Sequence, residues 1–364
     1  MNSTKVVIVG AGLAGLYAAY LFEQRKIPYL LLEAKSNPGG RILGVSSVQC
    51  PDHHFDLGPA WIFPHQHKIQ ALCSHLNINL FNQYASGDVL YQRSVQQAPQ
   101  QIHGAGDLDL FKIQGGSQSL VSALHSQLSS NSVKLSHTLT GIERQANAWQ
   151  LTISSEGEKQ TIHADELVLA MPPRIIAPYF SDKTWISQEV KQSLQASQTW
   201  MAGQAKFVAS YANAFWRNRG LSGQMYSQVG PLIETHDAST DENKNPALFG
   251  FIGWPASLRS QMTEQKLKDA CLAQLVSCFG PEAKDCTECH IKDWSTDEFI
   301  ATEKDKIEAS RHPEFDLTAH HEELSHLHLH FIGSEFAQQD PGYLEGAINA
   351  AAFGVQAIIS STSK

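Results

Sequence analysis

The period of the apolar positions changes several times along the chain, and each change marks an element. Val6-Val7-Ile8-Val9 is a short continuous apolar run, as a strand buried on both faces requires. A glycine-rich turn follows, then an Ala/Leu-rich helix from Leu13 to about Arg25 and a second apolar run from Tyr29 to Leu32. Strand, turn, helix and strand in that order make a βαβ opening. Further on, Gly115-Gly116-Ser117 precedes Leu120, Val121, Leu124 and Leu128 at helical spacing, and strands are predicted at Val133–Leu135, Trp149–Ile153 and Glu166–Ala170. Met171-Pro172-Pro173 ends the last of these, because proline cannot continue a central ladder, and the chain is expected to leave one domain there. Residues 183–292 alternate helix-like and strand-like text between aromatic-rich turns and predict a second domain. The tail returns to the opening style, with a strand from His326 to Ile332, a turn at Gly333-Ser334-Glu335 and a helix from Gly342 to Ile359. Its Gly346, Ala347, Ala350, Ala351 and Ala352 let that helix approach another backbone or a cofactor closely.

A length of 364 residues supports two folding units, at about 150 residues per domain. Hydrophobic residues make up 42% and charged residues 17%, against about 25% charged in globular chains, so the chain has the material for a core and not the composition of disorder. A net charge of −9 provides no basic field for nucleic acid or anionic membranes. No apolar run reaches the roughly 18 residues of a membrane span, and the first residues lack a basic segment followed by an apolar one. A soluble, cytoplasmic protein is expected. The six cysteines are too sparse for a disulfide framework.

The turn after the first strand carries the clearest chemistry. Gly10-Ala11-Gly12-Leu13-Ala14-Gly15 is a G-x-G-x-x-G run between strand and helix, which lets a pyrophosphate approach the backbone at a helix N-terminus. Glu33, at the end of the second strand, can accept both ribose hydroxyls, and it would repel a 2′-phosphate. Pro38-Gly39-Gly40-Arg41 then places two permissive glycines and a guanidinium on the same side as the first turn.

With these blocks the chain resembles the flavin-containing amine oxidase family, which includes monoamine and polyamine oxidases. The resemblance also rests on Asp56-Leu57-Gly58-Pro59-Ala60-Trp61, Gly115-Gly116, Ala170-Met171-Pro172-Pro173, Phe215-Trp216-Arg217, Gly333-Ser334-Glu335 and Gly342-Tyr343-Leu344-Glu345-Gly346-Ala347. It implies an α/β protein: a Rossmann-like FAD-binding domain (1–63, 104–182 and 293–364) with a discontinuous, smaller α+β substrate domain (64–103 and 183–292). The cofactor residues it implies are Gly10, Gly12, Leu13, Ala14, Gly15, Glu33, Ala34, Gly40, Arg41, Gly58, Pro59, Ala60, Trp61, Glu335, Gly342, Tyr343 and Ala347. Arg41 falls on the pyrophosphate side and Gly58 on the isoalloxazine side, Trp61 lies near the ring or in the core, and Glu335 contacts the FAD linker.

Lys206, in Gly203-Gln204-Ala205-Lys206-Phe207-Val208, resembles the family lysine that holds a water near flavin N5. Tyr343 takes the place of one wall of an aromatic cage. The segment after Trp294 lacks the Gly-Gly-Cys-aromatic block of monoamine oxidases, so FAD is expected to be non-covalent and the second wall is unassigned. Trp294 and Trp254 are candidates for lining the pocket. The implied reaction is hydride transfer from an amine to flavin N5, with molecular oxygen as acceptor and hydrogen peroxide as product. Two other readings stay open: a renalase-like dihydronicotinamide oxidase, and an FAD-binding redox protein without amine turnover.

Two metal-like patterns are discounted. Cys286-Thr287-Glu288-Cys289-His290 matches a haem-attachment motif but follows no export signal. His326, His328 and His330 alternate with Leu327 and Leu329, so they are read as the polar face of a strand. No metal is expected.

Overall fold

The computed structural model describes residues 3–105, 109–145, 148–240 and 245–362; residues 1–2, 106–108, 146–147 and 363–364 of the expected nucleotide domain lie outside them. Two seven-stranded sheets organise the described chain. In the first, Ser3–Val9 pairs in parallel with Tyr29–Leu32 on one side and with the end of Glu158–Leu169 on the other. Val133–Lys134 extends one edge in parallel and Leu329–Phe331 adds a parallel strand beside Glu158–Leu169. Thr138–Gln145, Ala148–Ser155 and the start of Glu158–Leu169 form an antiparallel meander. Helices Leu13–Gln24 and Leu344–Thr362 cover one face together. The opening βαβ unit and the closing helix are therefore where the apolar pattern places them, and the beginning, middle and end of the chain share one core.

The second sheet runs in the order Glu288–Asp293, Ala205–Ser210, Ala247–Ile252, Leu232–Asp237, Leu221–Ser227, Asp88–Gln92 and Gln100–Ile102. Ala205, Phe207 and Ala209 turn toward Leu267, Cys271, Leu275 and Phe279 of helix Glu264–Phe279, while Val208 packs with Phe55, Leu57 and Phe249. Period-2 alternation thus puts Lys206 on the Val208 face, toward the first domain. Two stretches expected with the substrate domain pack elsewhere: Ile69, Leu72 and Cys73 join the core under the first helix, and Ile186, Val190 and Leu194 join the core on the other face of the nucleotide sheet. Arg174 and Asp305, both buried, pair at 2.6 Å and fasten the exit at Pro172 to the segment after the second sheet. Among the described residues no helix is long and apolar enough to cross a membrane.

The strand expected over His326–Ile332 is largely absent. His321–Leu327 is helical, His328 stands in the left-handed region at φ 55°, and only Leu329–Phe331 pairs. The alternation was misleading because two of the histidines serve a buried carboxylate: Glu166 lies 2.9 Å from His328 Nδ1 and 2.8 Å from His330 Nε2. His290, in the cysteine motif, lies on strand Glu288–Asp293 and pairs with Glu288 at 3.0 Å.

Burial pushes the Glu166 carboxyl up, but the hydrogen bonds from His330 and His328 outweigh it and hold the group below the usual carboxylate range. A depressed carboxyl stabilises the fold above its unfolded value, about 4.3, and that contribution is lost as pH falls through the folded value. Glu166→Gln is therefore expected to cost about 1–3 kcal/mol at pH 7, with the gap to wild type closing below about pH 4. Urea melts of both proteins across that range measure it, and a gap independent of pH would contradict the assignment.

Candidate active site

One cavity of about 370 Å³ runs between the two domains, and its walls come from both. At one end, Val9 leads into Gly10, whose φ of 101° suits glycine. Gly15 does not line the cavity; a Cβ on it would lie 1.9 Å from Gly10 O, so its role is to let helix and turn pack. Helix Leu13–Gln24 begins at Gly12 with no side-chain cap, leaving the N–H groups of its first turn available to an anion. Leu13 and Ala14 stand beside them in the wall. Glu33 is 6% exposed and accepts hydrogen bonds from Ala11 N at 2.7 Å and Lys35 N at 2.9 Å, which fixes its carboxylate beside Ala34 in the same wall. His137, Thr138, Leu139 and Tyr179, which the motifs do not single out, also line the cavity.

The Gly39-Gly40-Arg41 turn lies directly on the first one, with Gly39 N donating to Ala11 O at 2.8 Å. Arg41 lines the cavity and grips Glu335 through both terminal nitrogens, at 2.5 and 2.9 Å. Glu335 is fully buried and does not line the cavity. The expectation that it touches a cofactor directly is corrected: its oxygens are occupied by Arg41 and, at 3.1 Å, by Trp200 N. Arg41 also donates to Trp200 O at 3.2 Å, so one ion pair fixes the turn that carries Trp200.

At the other end stand Gly58, Pro59, Ala60, Trp61, Lys206, Phe249, Phe251, Tyr343 and Ala347. Lys206 is 3% exposed, donates to Gly58 O at 3.0 Å and lies 4.0 Å from the centre of the Phe249 ring. Burial lowers its pKa to about 7, against the pull of Asp56 and with the push of Lys112. Trp61 donates its indole N–H to Gln83 at 2.8 Å and packs against Phe249, so it belongs to both the cavity wall and the core. Trp294 lines the cavity with its indole N–H on Leu57 O at 3.0 Å, whereas Trp254 is outside it, against Gly230. Phe215-Trp216-Arg217 is structural: Trp216 and Arg217 both hold Asp237, at 2.9 and 2.7 Å.

The aromatic partners of Tyr343 come from unexpected places. Its ring is 6.0 Å from Trp200 and 5.7 Å from Phe63, and His312 stacks on Trp200 at 4.0 Å. A Cβ on Gly342 would lie 2.7 Å from the Trp200 side chain, so glycine there is what admits the indole. The sequence signal was the tryptophan six residues before Lys206, which no motif marked.

Comparison with known proteins agrees with this geometry. The family model described as flavin containing amine oxidoreductase matches residues 94–359, and that of an NAD(P)-binding Rossmann-like domain matches residues 8–76. A probable flavin-containing monoamine oxidase A of Dictyostelium discoideum is 22% identical over 456 aligned positions, covering 95% of each chain. A putative flavin-containing monoamine oxidase of Mycobacterium tuberculosis is 27% identical over 270 positions, covering 71% of this chain and 56% of that protein. Among solved structures, cyclohexylamine oxidase from Brevibacterium oxydans superposes with a TM-score of 0.79 at 18% identity, covering 99% of this chain and 100% of that one. Wild-type putrescine oxidase bound to putrescine gives 0.77 at 17%, covering 100% and 99%. At such identities the structures establish a shared fold. With the family model spanning well over half of its length, the chain belongs to the flavin-containing amine oxidoreductases.

Proposed function

We propose that the chain is an FAD-dependent oxidase of neutral amines, with the cofactor held non-covalently along the interdomain cavity. The observation that carries this is Lys206, buried in the cavity wall with its Nζ over the Phe249 and Phe251 rings. The nucleotide domain is the first sheet with its helices, and the substrate domain is the second sheet with helix Glu264–Phe279.

The residues present fit the cofactor. The uncapped start of helix Leu13–Gln24 would take the pyrophosphate, Glu33 the ribose hydroxyls, and Arg41 would add its fixed charge. No cysteine lines the cavity among the described residues, which supports non-covalent binding. The chemistry that FAD would supply when bound is two-electron acceptance: hydride from the carbon next to the amine nitrogen, which leaves the substrate as an iminium, and two electrons that with two protons would reduce oxygen to hydrogen peroxide.

The chain's own residues do the rest. Trp61, Phe249 and Phe251 exclude water from the end where Lys206 lies, and an apolar site favours the uncharged amine over ammonium. Tyr343 and Trp200 offer ring faces that orient the amine. Lys206 holds positive charge where negative charge develops as oxygen is reduced. No residue here has to remove a proton from carbon.

Lys206→Met is expected to slow reoxidation by oxygen about 100-fold while leaving reduction by amine within a few-fold, as stopped-flow measurement of the two half-reactions reads directly. Because burial lowers the Lys206 pKa to about 7, wild-type reoxidation should slow as pH rises through that value and the ammonium is lost. The methionine variant should lose this pH dependence, and a variant that keeps it would remove Lys206 from the role. Acid precipitation should release all the FAD into the supernatant; yellow protein in the pellet would refute non-covalent binding.

A further inference from the structure

The motif Cys286-Thr287-Glu288-Cys289 has no part in the site described above. Neither cysteine lines the interdomain cavity, and both are free thiols, partly exposed rather than sealed in the core. Strand Glu288–Asp293 is the end strand of the second sheet. Its pairing with Ala205–Ser210 sets Cys289 opposite Ala209, on the face that packs toward helix Glu264–Phe279. The chain bends at Thr287 just before the strand, and the bend returns Cys286 to Cys289, so that the two thiols are hydrogen-bonded to each other. The residues between them hold the bend. Thr287 N donates to Ser210 O at 2.8 Å and its Oγ1 meets Ser210 Oγ at 2.7 Å, while Glu288 accepts from Val48 N at 2.9 Å.

Two thiols in contact on a pinned turn suit either metal binding or redox exchange. Metal binding needs further ligands, and among the described residues no group of three or more His, Cys, Asp or Glu is placed to hold an ion. Redox exchange needs only the pair, one sulfur to attack as a thiolate and the other to close the disulfide. Their surroundings divide these roles. The hydrogen bond from Cys286 lowers the Cys289 pKa to about 7, against burial, with Lys268 of the facing helix adding positive charge and Asp269 and Glu264 opposing it. The same contact, together with burial, pushes the Cys286 thiol up. Cys271, on that helix, is fully buried, and burial pushes its thiol up as well.

We propose that Cys286 and Cys289 form a peroxide-reactive dithiol, with Cys289 the attacking sulfur and Cys286 the resolving one. The Cys289 thiolate attacks hydrogen peroxide; the O–O bond breaks, an S–O bond forms, hydroxide leaves, and Cys289 becomes a sulfenic acid. The Cys286 sulfur then gives up its proton and attacks the Cys289 sulfur, the S–O bond breaks, and water departs as the disulfide closes. In sum the two thiols lose two electrons and two protons, and one peroxide becomes two waters. A dithiol reductant restores the pair by thiol–disulfide exchange. Hydrogen peroxide is the product of the reaction proposed above, but the chemistry of the pair is the same with peroxide from any source and stands apart from the reading of Lys206.

The test treats the reduced, substrate-free holoenzyme with hydrogen peroxide, blocks the remaining thiols with N-ethylmaleimide and reads the tryptic peptides by mass. Trypsin cuts after Lys284 and Lys292, which leaves both cysteines on one peptide. In wild type that peptide should lose both alkylation sites together and become lighter by two hydrogens, and dithiothreitol should reverse the change. At pH 7 the oxidation should run about 10-fold faster than that of cysteine in solution, on the ratio of thiolate fractions. Cys286→Ser should stop at a sulfenic acid on Cys289 that dimedone traps, and Cys289→Ser should abolish the fast reaction. A peptide that stays doubly alkylated while cysteine in solution is consumed overturns the proposal, as does a disulfide from Cys289 to Cys271. Fast oxidation that survives Cys289→Ser overturns the assignment of the attacking sulfur. If a variant does not fold, the wild-type peptide map decides. None of these readouts depends on amine turnover, so failure here leaves the oxidase reading untouched.

Discussion

The ion pair between Arg41 and Glu335 holds the site together. The two residues stand 294 positions apart, on the turn after the second strand and on the turn before the last helix. Their bidentate contact draws the beginning and the end of the chain onto one point, and both partners also bind the backbone of Trp200 from the middle. A buried pair of this kind adds little net stability, but loss of one partner leaves a charge without compensation, at a cost of about 3–5 kcal/mol. Its value is geometric. A domain built from separated segments needs a fixed reference, and here the reference also sets where an aromatic wall faces Tyr343.

Lys206 is the second constraint, and it follows from strand geometry. A strand with both faces buried sends alternate residues into two different cores. Ala205, Phe207 and Ala209 fill one of them without polar atoms, so Lys206 and Val208 are left to the face that meets the other domain. The lysine lies there with Gly58 O, two aromatic rings and the carboxylate of Asp56 around it. These come from two distant parts of the chain, the Asp56–Gly58 segment and strand Ala247–Ile252, so the surroundings of Lys206 exist only once both are in place.

Features that depend on neighbours in sequence were legible, and those that depend on distant pairs were not. The turn at Gly10–Gly15, the carboxylate of Glu33 and the parallel strands around them follow from glycine conformation and apolar period, which are local. The lysine was visible only by resemblance, since a lone lysine in a strand carries no signal of burial. Trp200 beside Tyr343, and Asp56 and Lys112 at the small cavity that Lys206 lines, are long-range juxtapositions with no spacing to betray them. Glu335 was misread for a related reason: a carboxylate at a strand end looks available to a ligand until its guanidinium partner is placed. The histidines at 328 and 330 misled in the opposite direction, because their alternation copied a strand while their partner, Glu166, stood on another strand.

The same aromatic walls impose two opposite demands on charge. Rings such as Trp61, Phe249 and Phe251 lower the local dielectric, and that favours a neutral amine, whose lone pair must be free for its carbon to lose hydride. Low dielectric also penalises the ammonium of Lys206, whose positive charge the proposed reduction of oxygen would use. A site apolar enough for the first demand would, left alone, strip the proton that serves the second. Trp61 and Phe251 face the large cavity and Phe249 borders both, while the Asp56 carboxylate lies in the wall of the small one and outside that of the large one. On the proposed reading, Asp56 would favour the Lys206 ammonium without an anion standing among those rings, where it would attract the protonated amine instead.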